Sequence, residues 1–138
     1  IDDDWGEVQA VVELDGERFT PEVVAGLDGV SHVDVVFHFH GVDERAVNLG
    51  ARHPRGRADW PLVGIMAQRA KARPTRLGVT TCEVVAVDGL ALTVRGLDAI
   101  DGTPVLDVKP HMAEFAPRTP THQPAWATEL MAGYWHLR

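Results

Sequence analysis

The sequence is poor in the features that mark disulfide-rich, zinc-binding and membrane-spanning proteins. Its 138 residues include a single cysteine, Cys82, so no internal disulfide can form and a cysteine-rich zinc site is excluded. No apolar run approaches the ~20 residues that span a bilayer, and no secretory signal opens the chain. These absences favour a cytoplasmic protein. Because the first residue is Ile1 and not methionine, we expect the chain to be trimmed or to begin within a longer reading frame.

Most short motifs of nucleotide-binding and hydrolytic enzymes are absent as well. No GxGxxG follows a predicted strand, and the chain has no Walker lysine, no HExxH and no GxSxG. His38 and His40 are two residues apart on one predicted strand face, a spacing that metals use, but no third ligand is evident nearby. The sequence therefore predicts no metal site.

The charged residues are distributed unevenly along the chain. The net charge of −7 combines −11 over residues 1–44, +7 over residues 45–76 and −3 over residues 77–138. An acidic chain repels polyanions at long range, but a confined segment rich in arginine can still hold phosphates or carboxylates. The alternative is a solvated basic loop that balances the acidic N-terminal third.

The hydrophobic pattern predicts a single, mostly β domain over residues 1–138. With 45% hydrophobic and 24% charged residues, the composition is that of a globular protein. Short strands with turns every 8–12 residues favour a small antiparallel β-barrel, with one short helix near the N-terminus and a C-terminal helix. A loop over 41–60 carries little periodicity, and loops that long are usually functional or mobile. The predicted strands are 7–14, 32–40, 62–68, 79–87, 90–95 and 103–108, and the predicted helices are 20–27, capped by Thr20, and 125–135.

Two sequence motifs follow one another between Gly64 and His111. The first reads GIMAQRA over 64–70, continues with RPT over 73–75 and ends with LG over 77–78. The second, after a predicted hairpin, reads DGTP over 101–104 and DVKPH over 107–111. In this order and at this separation they resemble the TsaA-like (TrmO-like) family, methyltransferases that modify N6-threonylcarbamoyladenosine beside the tRNA anticodon.

The resemblance implies a bound S-adenosyl-L-methionine at a small antiparallel β-barrel, and a homodimer whose two subunits help to build the cleft. The guanidinium of Arg69 is shaped to pair with the methionine carboxylate, and Asp98 or Asp101 can accept from a ribose hydroxyl or the ammonium group. The predicted cofactor contacts are Phe39, His40, Arg69, Val79, Gly96, Leu97, Asp98, Asp101, Gly102, Thr103 and Pro104.

The acceptor nitrogen would lose a proton near the transition state, so a nearby titratable side chain would assist the reaction. Four candidates are open at this point: His40, Asp107, Lys109 and His111. If tRNA is the substrate, its phosphates should lie against the only segment where positive charge outnumbers negative. The predicted RNA contacts are Arg52, Arg55, Arg57, Arg73 and Arg76.

The chain departs from the family pattern at Ala70, Thr75 and His111, where the family has Ser, Asn and Tyr. The family's opening strand would lie before Ile1, and the large C-terminal domain of longer bacterial members is missing from these residues. These departures leave the methyl acceptor open. Alternatives to tRNA methylation are a small-molecule methyltransferase on the same cofactor platform and a non-catalytic cofactor-binding protein, the first favoured by the acidic net charge.

Overall fold

Strands dominate the computed structural model, which describes residues 3–136. Six short 3-10 helices lie within this range: five between strands and one, Ala113–Phe115, between the last strand and the helix. The strands are β1 (Gln9–Glu13), β2 (His32–His38), β3 (Ala51–Arg52), β4 (Val63–Gly64), β5 (Leu77–Asp88), β6 (Ala91–Arg95) and β7 (Val105–Pro110), and the helix α1 is Ala125–Met131. No helix within residues 3–136 has both the length and the apolar character needed to cross a bilayer.

Five of the strands form one sheet in the order β1-β6-β5-β2-β7, and β3 pairs separately with β4. The mostly-β antiparallel class is therefore confirmed. The predicted closure into a barrel is not seen among the described residues, because β1 pairs only with β6 and β7 only with β2. Both are edge strands of an open sheet.

The side chains of β2 alternate between the interior and the outer face. Val33, Val35 and Phe37 are each no more than 1% exposed, whereas Asp34 and His38 are half-buried. The period of two predicted from the sequence is confirmed, since successive strand residues point to opposite faces. The strand ends at His38, two residues earlier than predicted.

The predicted hairpin after Val79 is confirmed as β5 and β6, which pair antiparallel around a turn at Gly89. Gly89 has φ of +59°, a left-handed conformation that glycine adopts without strain. A register shift between Val84 and Ala86 marks a bulge in β5. On its other side β6 pairs with β1, from Gln9 opposite Arg95 to Glu13 opposite Ala91.

Three predicted elements are corrected. The helix expected over 20–27 is two 3-10 helices, Pro21–Val24 and Leu27–Gly29, separated at Gly26 with φ of +87°, and the Thr20 side chain makes no capping hydrogen bond. The strand expected over 62–68 is only β4, because a 3-10 helix begins at Ile65. The C-terminal helix is confirmed, but it ends at Met131 and not at residue 135.

The chain divides into two compact units. The first unit comprises Ile1–Val35, Thr80–Asp98 and Asp107–Arg138, and the second comprises Val36–Val79 and Ala99–Leu106. Strands β2, β5 and β7 each begin in one unit and continue into the other. The buried apolar side chains of the first unit are Val12, Val33, Val35, Cys82, Leu92, Val94 and Leu97, and those of the second are Phe37, Trp60 and Ile65.

Candidate functional site

The second unit brings two of the predicted cofactor contacts together directly. Arg69 Nη2 donates a hydrogen bond to the carbonyl oxygen of Val79 at 2.5 Å. The Arg69 side chain is exposed, and a guanidinium has five N–H donors in a planar fork. Arg73 fixes the same stretch, because its Nη1 donates to the carbonyls of Gln68 at 2.5 Å and Ala70 at 3.3 Å. The turn that carries Arg69 is thus tied to the start of β5.

Phe39, another predicted contact, packs beside the start of β5. Its ring meets that of Phe37 edge to face, with centroids 5.3 Å apart, and its backbone N–H donates to the carbonyl of Arg76 at 2.8 Å. A Cβ at Gly78 would lie 2.6 Å from the Phe37 ring and 2.9 Å from the Phe39 ring. The LG pair of the first motif therefore has a steric reason, since only glycine leaves room for both rings.

The DGTP motif forms a tight turn in the same unit. The backbone N–H and the hydroxyl of Thr103 both donate to the carbonyl of Ile100, at 3.2 and 2.6 Å. Gly102 has φ of +81°, at the position where a type II turn requires glycine. Pro104 then accepts from the backbone N–H of His38 at 3.0 Å, which fixes the turn beside the end of β2. Asp101 is exposed, and its carboxylate makes no hydrogen bond or ion pair within residues 3–136.

The predicted contacts Gly96, Leu97 and Asp98 belong to the first unit, where Gly96 and Leu97 are buried. The Asp98 carboxylate accepts hydrogen bonds from two hydroxyls, those of Thr80 and Tyr134. Asp98 thus differs from Asp101, whose oxygens are open to solvent. No motif in the sequence indicates this difference.

The four candidates for accepting a proton lie in different surroundings. Lys109 and Asp107 form an exposed ion pair of 2.8 Å, which raises the pKa of Lys109 and lowers that of Asp107. Each is thereby made a poorer base at neutral pH, because Lys109 stays protonated and Asp107 gives up its proton readily. His111 is half-buried, with Nδ1 3.3 Å from the Asp34 carboxylate. His40 is exposed, and its imidazole makes no hydrogen bond among the described residues.

Three of the five predicted RNA contacts hold the protein backbone or a buried amide. Arg73 binds the carbonyls of the Arg69 turn, and Arg76 donates to the carbonyl of Val42 at 2.9 Å. Arg52 Nε lies 3.4 Å from the side-chain oxygen of Gln68, whose amide is buried. These side chains order residues 41–76, which include the loop over 41–60 that the sequence predicted to have little periodicity.

The other two arginines are more exposed. Arg57 lies with its guanidinium carbon 3.9 Å from the centre of the buried Trp60 ring, and it pairs with Asp59, whose pKa it lowers. Arg55, with φ of +51°, occupies the exposed turn before it. The stacked guanidinium is held in one orientation and already binds one anionic group, the Asp59 carboxylate, through Nε and Nη2.

Sequence reasoning missed three residues that fix the predicted ones. Tyr134 was assigned to a helix, Asp34 only to a strand face, and Gln68 to a strand. Gln68 is 7% exposed and donates to the carbonyls of Arg52 and Val63, so it joins two parts of the loop. For Asp34 and Gln68, the sequence offered one signal of such a role, a polar residue next to apolar ones in a predicted strand. Within residues 3–136, no group of three or more His, Cys, Asp or Glu side chains is arranged to hold a metal ion.

Comparison with known proteins identifies relatives of this chain. The tRNA (adenine(37)-N6)-methyltransferase of Escherichia coli strain K12 is 34% identical over 117 residues, 80% of this chain and 48% of that protein. A probable S-adenosyl-L-methionine-binding protein of Pyrococcus abyssi is 33% identical over 113 residues, 79% of this chain and 59% of that protein. The crystal structure of TrmO from Pseudomonas aeruginosa superposes with a TM-score of 0.68 and 27% identity, covering 88% of this chain and 49% of that one.

In each of these comparisons the chain covers less than two thirds of the other protein. A family model described as the tRNA-methyltransferase O N-terminal domain matches residues 4–116, which is most of the chain. The two motifs that carried the resemblance lie inside this match. The chain therefore belongs to the family of the tRNA-methyltransferase O N-terminal domain.

Proposed function

We propose that this chain is a single TsaA-like domain that binds S-adenosylmethionine and methylates the N6 nitrogen of N6-threonylcarbamoyladenosine in tRNA. Family membership and the name of the Escherichia coli relative support the reaction, and the name of the Pyrococcus relative supports the cofactor. One observation carries the proposal: the first motif and the DGTP part of the second both belong to the second unit. Arg69 bonds to Val79 at the start of β5, and the 101–104 turn bonds to the end of β2.

The donor and acceptor groups of the second unit match the polar groups of S-adenosylmethionine. Arg69 retains N–H groups for the carboxylate, and the open Asp101 carboxylate can accept from the ammonium or a ribose hydroxyl. The Phe39 ring offers an aromatic surface for the adenine. His40 follows it in the sequence, and Val79 follows Gly78, whose backbone lies close to the ring. Nothing lies within 4 Å of a Cβ built on Gly102, so the backbone of the turn is accessible to a ligand. The proposed contacts of Thr103 and Pro104 with the cofactor follow from their place in this turn. The proposed contacts of Gly96, Leu97 and Asp98 rest on the resemblance.

When bound, S-adenosylmethionine supplies a methyl group on a sulfonium sulfur, which is already an activated leaving group. The contribution of the chain is then mainly to hold the two reactants in line. Such positioning can lower the activation free energy by about 7–11 kcal/mol at most. The acceptor nitrogen exchanges one proton for the methyl group it gains. We assign that proton to His40, because it follows Phe39 directly and its imidazole is exposed.

Replacing Arg69 by alanine tests the cofactor assignment. Loss of a charge-assisted hydrogen bond should weaken S-adenosylmethionine binding by at least ~1.5 kcal/mol, measured by calorimetry. Arg69→Lys should recover part of this loss, because lysine keeps the charge without the planar fork. Arg118→Ala is the control, since Arg118 is an exposed arginine whose one hydrogen bond within residues 3–136 is to the carbonyl of Glu114. Unchanged affinity in Arg69→Ala would remove Arg69 from the site.

For the RNA partner we propose the exposed part of the basic segment, 45–76, as the surface that meets tRNA phosphates. Arg55 and the stacked Arg57 lie on an exposed turn, so their replacement should not disturb the backbone contacts that Arg73 and Arg76 make. Phosphate neutralisation by such side chains makes nucleic-acid affinity depend on salt concentration.

A small-molecule acceptor is the second candidate, and one observation favours it. The net charge is −7, and Arg52, Arg73 and Arg76 are occupied within the protein. Such a chain offers a phosphate backbone less positive surface than most tRNA-binding enzymes do. Labelling of metabolites but not of tRNA by methyl-labelled cofactor would favour this candidate.

The last parts of the proposal are a homodimer and a cytoplasmic location. The edge strand β7 carries Leu106, which is 58% exposed, and Ile100 before it is 62% exposed. An unpaired edge with apolar side chains is a surface that a second copy would cover. The tryptophans of the C-terminal segment add little to such a surface, because Trp126 is half-buried and Trp135 is 38% exposed. A tRNA substrate would support the cytoplasmic location.

A further inference from the structure

The C-terminal segment runs back along the start of the chain. The backbone N–H groups of Asp4, Trp5 and Gly6 donate to the carbonyls of Gly133, Tyr134 and Trp135, at 3.2, 2.9 and 2.8 Å. The Tyr134 and Trp135 rings meet edge to face, 4.9 Å between centroids. The family match ends at residue 116, so this segment lies outside the part of the chain that the family describes.

Tyr134 reaches Asp98 from this segment. Its hydroxyl donates to Oδ2 of Asp98, while the hydroxyl of Thr80 on β5 donates to Oδ1. Thr80 is 7% exposed, so its hydroxyl has this carboxylate as its partner away from water. With one donor on each oxygen the carboxylate is held against rotation. An ionised carboxylate has about four lone-pair positions, so two donors still leave positions for a ligand.

We propose that Tyr134 and Thr80 are positioning residues that hold the Asp98 carboxylate in the orientation required for cofactor binding. The inference rests on the proposed function, in which Asp98 contacts S-adenosylmethionine. It makes the C-terminal segment a part of the cofactor-binding machinery. A fixed acceptor binds more tightly than a mobile one, because its orientation is settled before the ligand arrives.

The test compares four variants of the full chain by calorimetry with S-adenosylmethionine and S-adenosylhomocysteine, well below the unfolding temperature. Tyr134→Phe removes one hydroxyl and keeps the ring, and Thr80→Val removes the other. Each should weaken binding about tenfold, the scale of a lost hydrogen bond to a charged group. Thr80→Ser keeps the hydroxyl and should bind within about twofold of the parent.

Thr81→Val is the matched control. Thr81 is the next residue of β5, it is exposed, and its hydroxyl donates to a different carboxylate, that of Asp34, at 2.6 Å. It should lose stability through the same kind of change while retaining cofactor affinity. If the parent binds and Tyr134→Phe binds equally well, or if Thr81→Val weakens binding as much as Thr80→Val, the positioning role is wrong while the proposed function stands. If the parent binds neither compound, the proposed function is wrong and this inference with it.

Discussion

At Gly78 the backbone of β5 passes so close to two aromatic rings that no side chain fits. A Cβ there would lie 2.6 Å from Phe37, which is 1% exposed and cannot move aside easily. Gly78→Ala should therefore lower the free energy of unfolding by about 1–3 kcal/mol, the usual cost of overpacking, in urea titrations. Gly64→Ala is the control, because nothing lies within 4 Å of its Cβ position, and it should change stability by less than about 0.5 kcal/mol. Equal effects of the two substitutions would contradict the steric account.

Cys82 is buried, and burial together with the nearby Asp98 and Asp34 raises its thiol pKa to about 12. The unfolded thiol loses its proton above pH 9, whereas the folded one keeps it. The contribution of this thiol to the free energy of unfolding should thus be fully present below pH 9. It should decline as the pH rises from 9 toward 12, by about 1 kcal/mol between pH 9 and pH 10. Comparison with Cys82→Ala, whose stability should fall less steeply, isolates this contribution. Rapid labelling of the folded protein by a thiol reagent at pH 8 would contradict it.

The assignment of the proton acceptor distinguishes two histidines. His40→Gln should lower kcat by about 10²–10⁴, as expected for loss of a general base, and this loss should persist at saturating cofactor. His111→Gln should have a smaller effect, because His111 is engaged with Asp34. Single-turnover methyl transfer measured over a range of pH values compares them. A larger loss in His111→Gln than in His40→Gln would transfer the role to His111.

At the scale of elements, the sequence predicted those parts in which a local pattern decides the structure. The alternation in β2 and the Asp88-Gly89 turn are both read from adjacent residues, and both are confirmed. The N-terminal helix was wrong because the left-handed Gly26 separates two short turns. The C-terminal helix ends at Met131, and beyond it the carbonyls of residues 133–135 accept from the backbone N–H groups of residues 4–6, a pairing between distant parts of the chain.

In the candidate site, too, the sequence predicted only what a local pattern determines. The motifs identified Arg69 and the 101–104 turn, but the contacts that fix side chains join distant positions. Tyr134 and Asp98 are 36 residues apart, and His111 and Asp34 are 77 apart. No local periodicity indicates such pairs, so only the folded chain reveals them.

The basic segment over 45–76 gives a prediction of its own. Replacing Arg55 and Arg57 by alanine should weaken tRNA binding and reduce the salt slope by roughly one unit for each lost phosphate contact. Cofactor affinity should change little. A double replacement of Arg18 and Arg118 removes the same charge outside the segment and should leave the slope nearly unchanged. Equal slopes for the two double variants would place the RNA elsewhere.

For the whole molecule, the exposed edge of β7 predicts association of two chains. Sedimentation at micromolar concentration should give a species of twice the 15.1 kDa chain mass. Leu106→Glu should produce the monomer, because it places a charge on the proposed interface. Leu49→Glu is the control, since Leu49 is 80% exposed in the loop before β3. A single-chain mass for the parent would contradict the dimer.

Methyl transfer to tRNA tests the central claim most directly. Total tRNA from a strain that lacks the methyl group is incubated with the protein and methyl-labelled S-adenosylmethionine, beside a small-metabolite extract, at several salt concentrations. We predict label on the N6-threonylcarbamoyladenosine of tRNA, reduced in Arg69→Ala and absent from the metabolite fraction. If tRNA remains unlabelled at every salt concentration, the chain is not the tRNA methyltransferase that we propose.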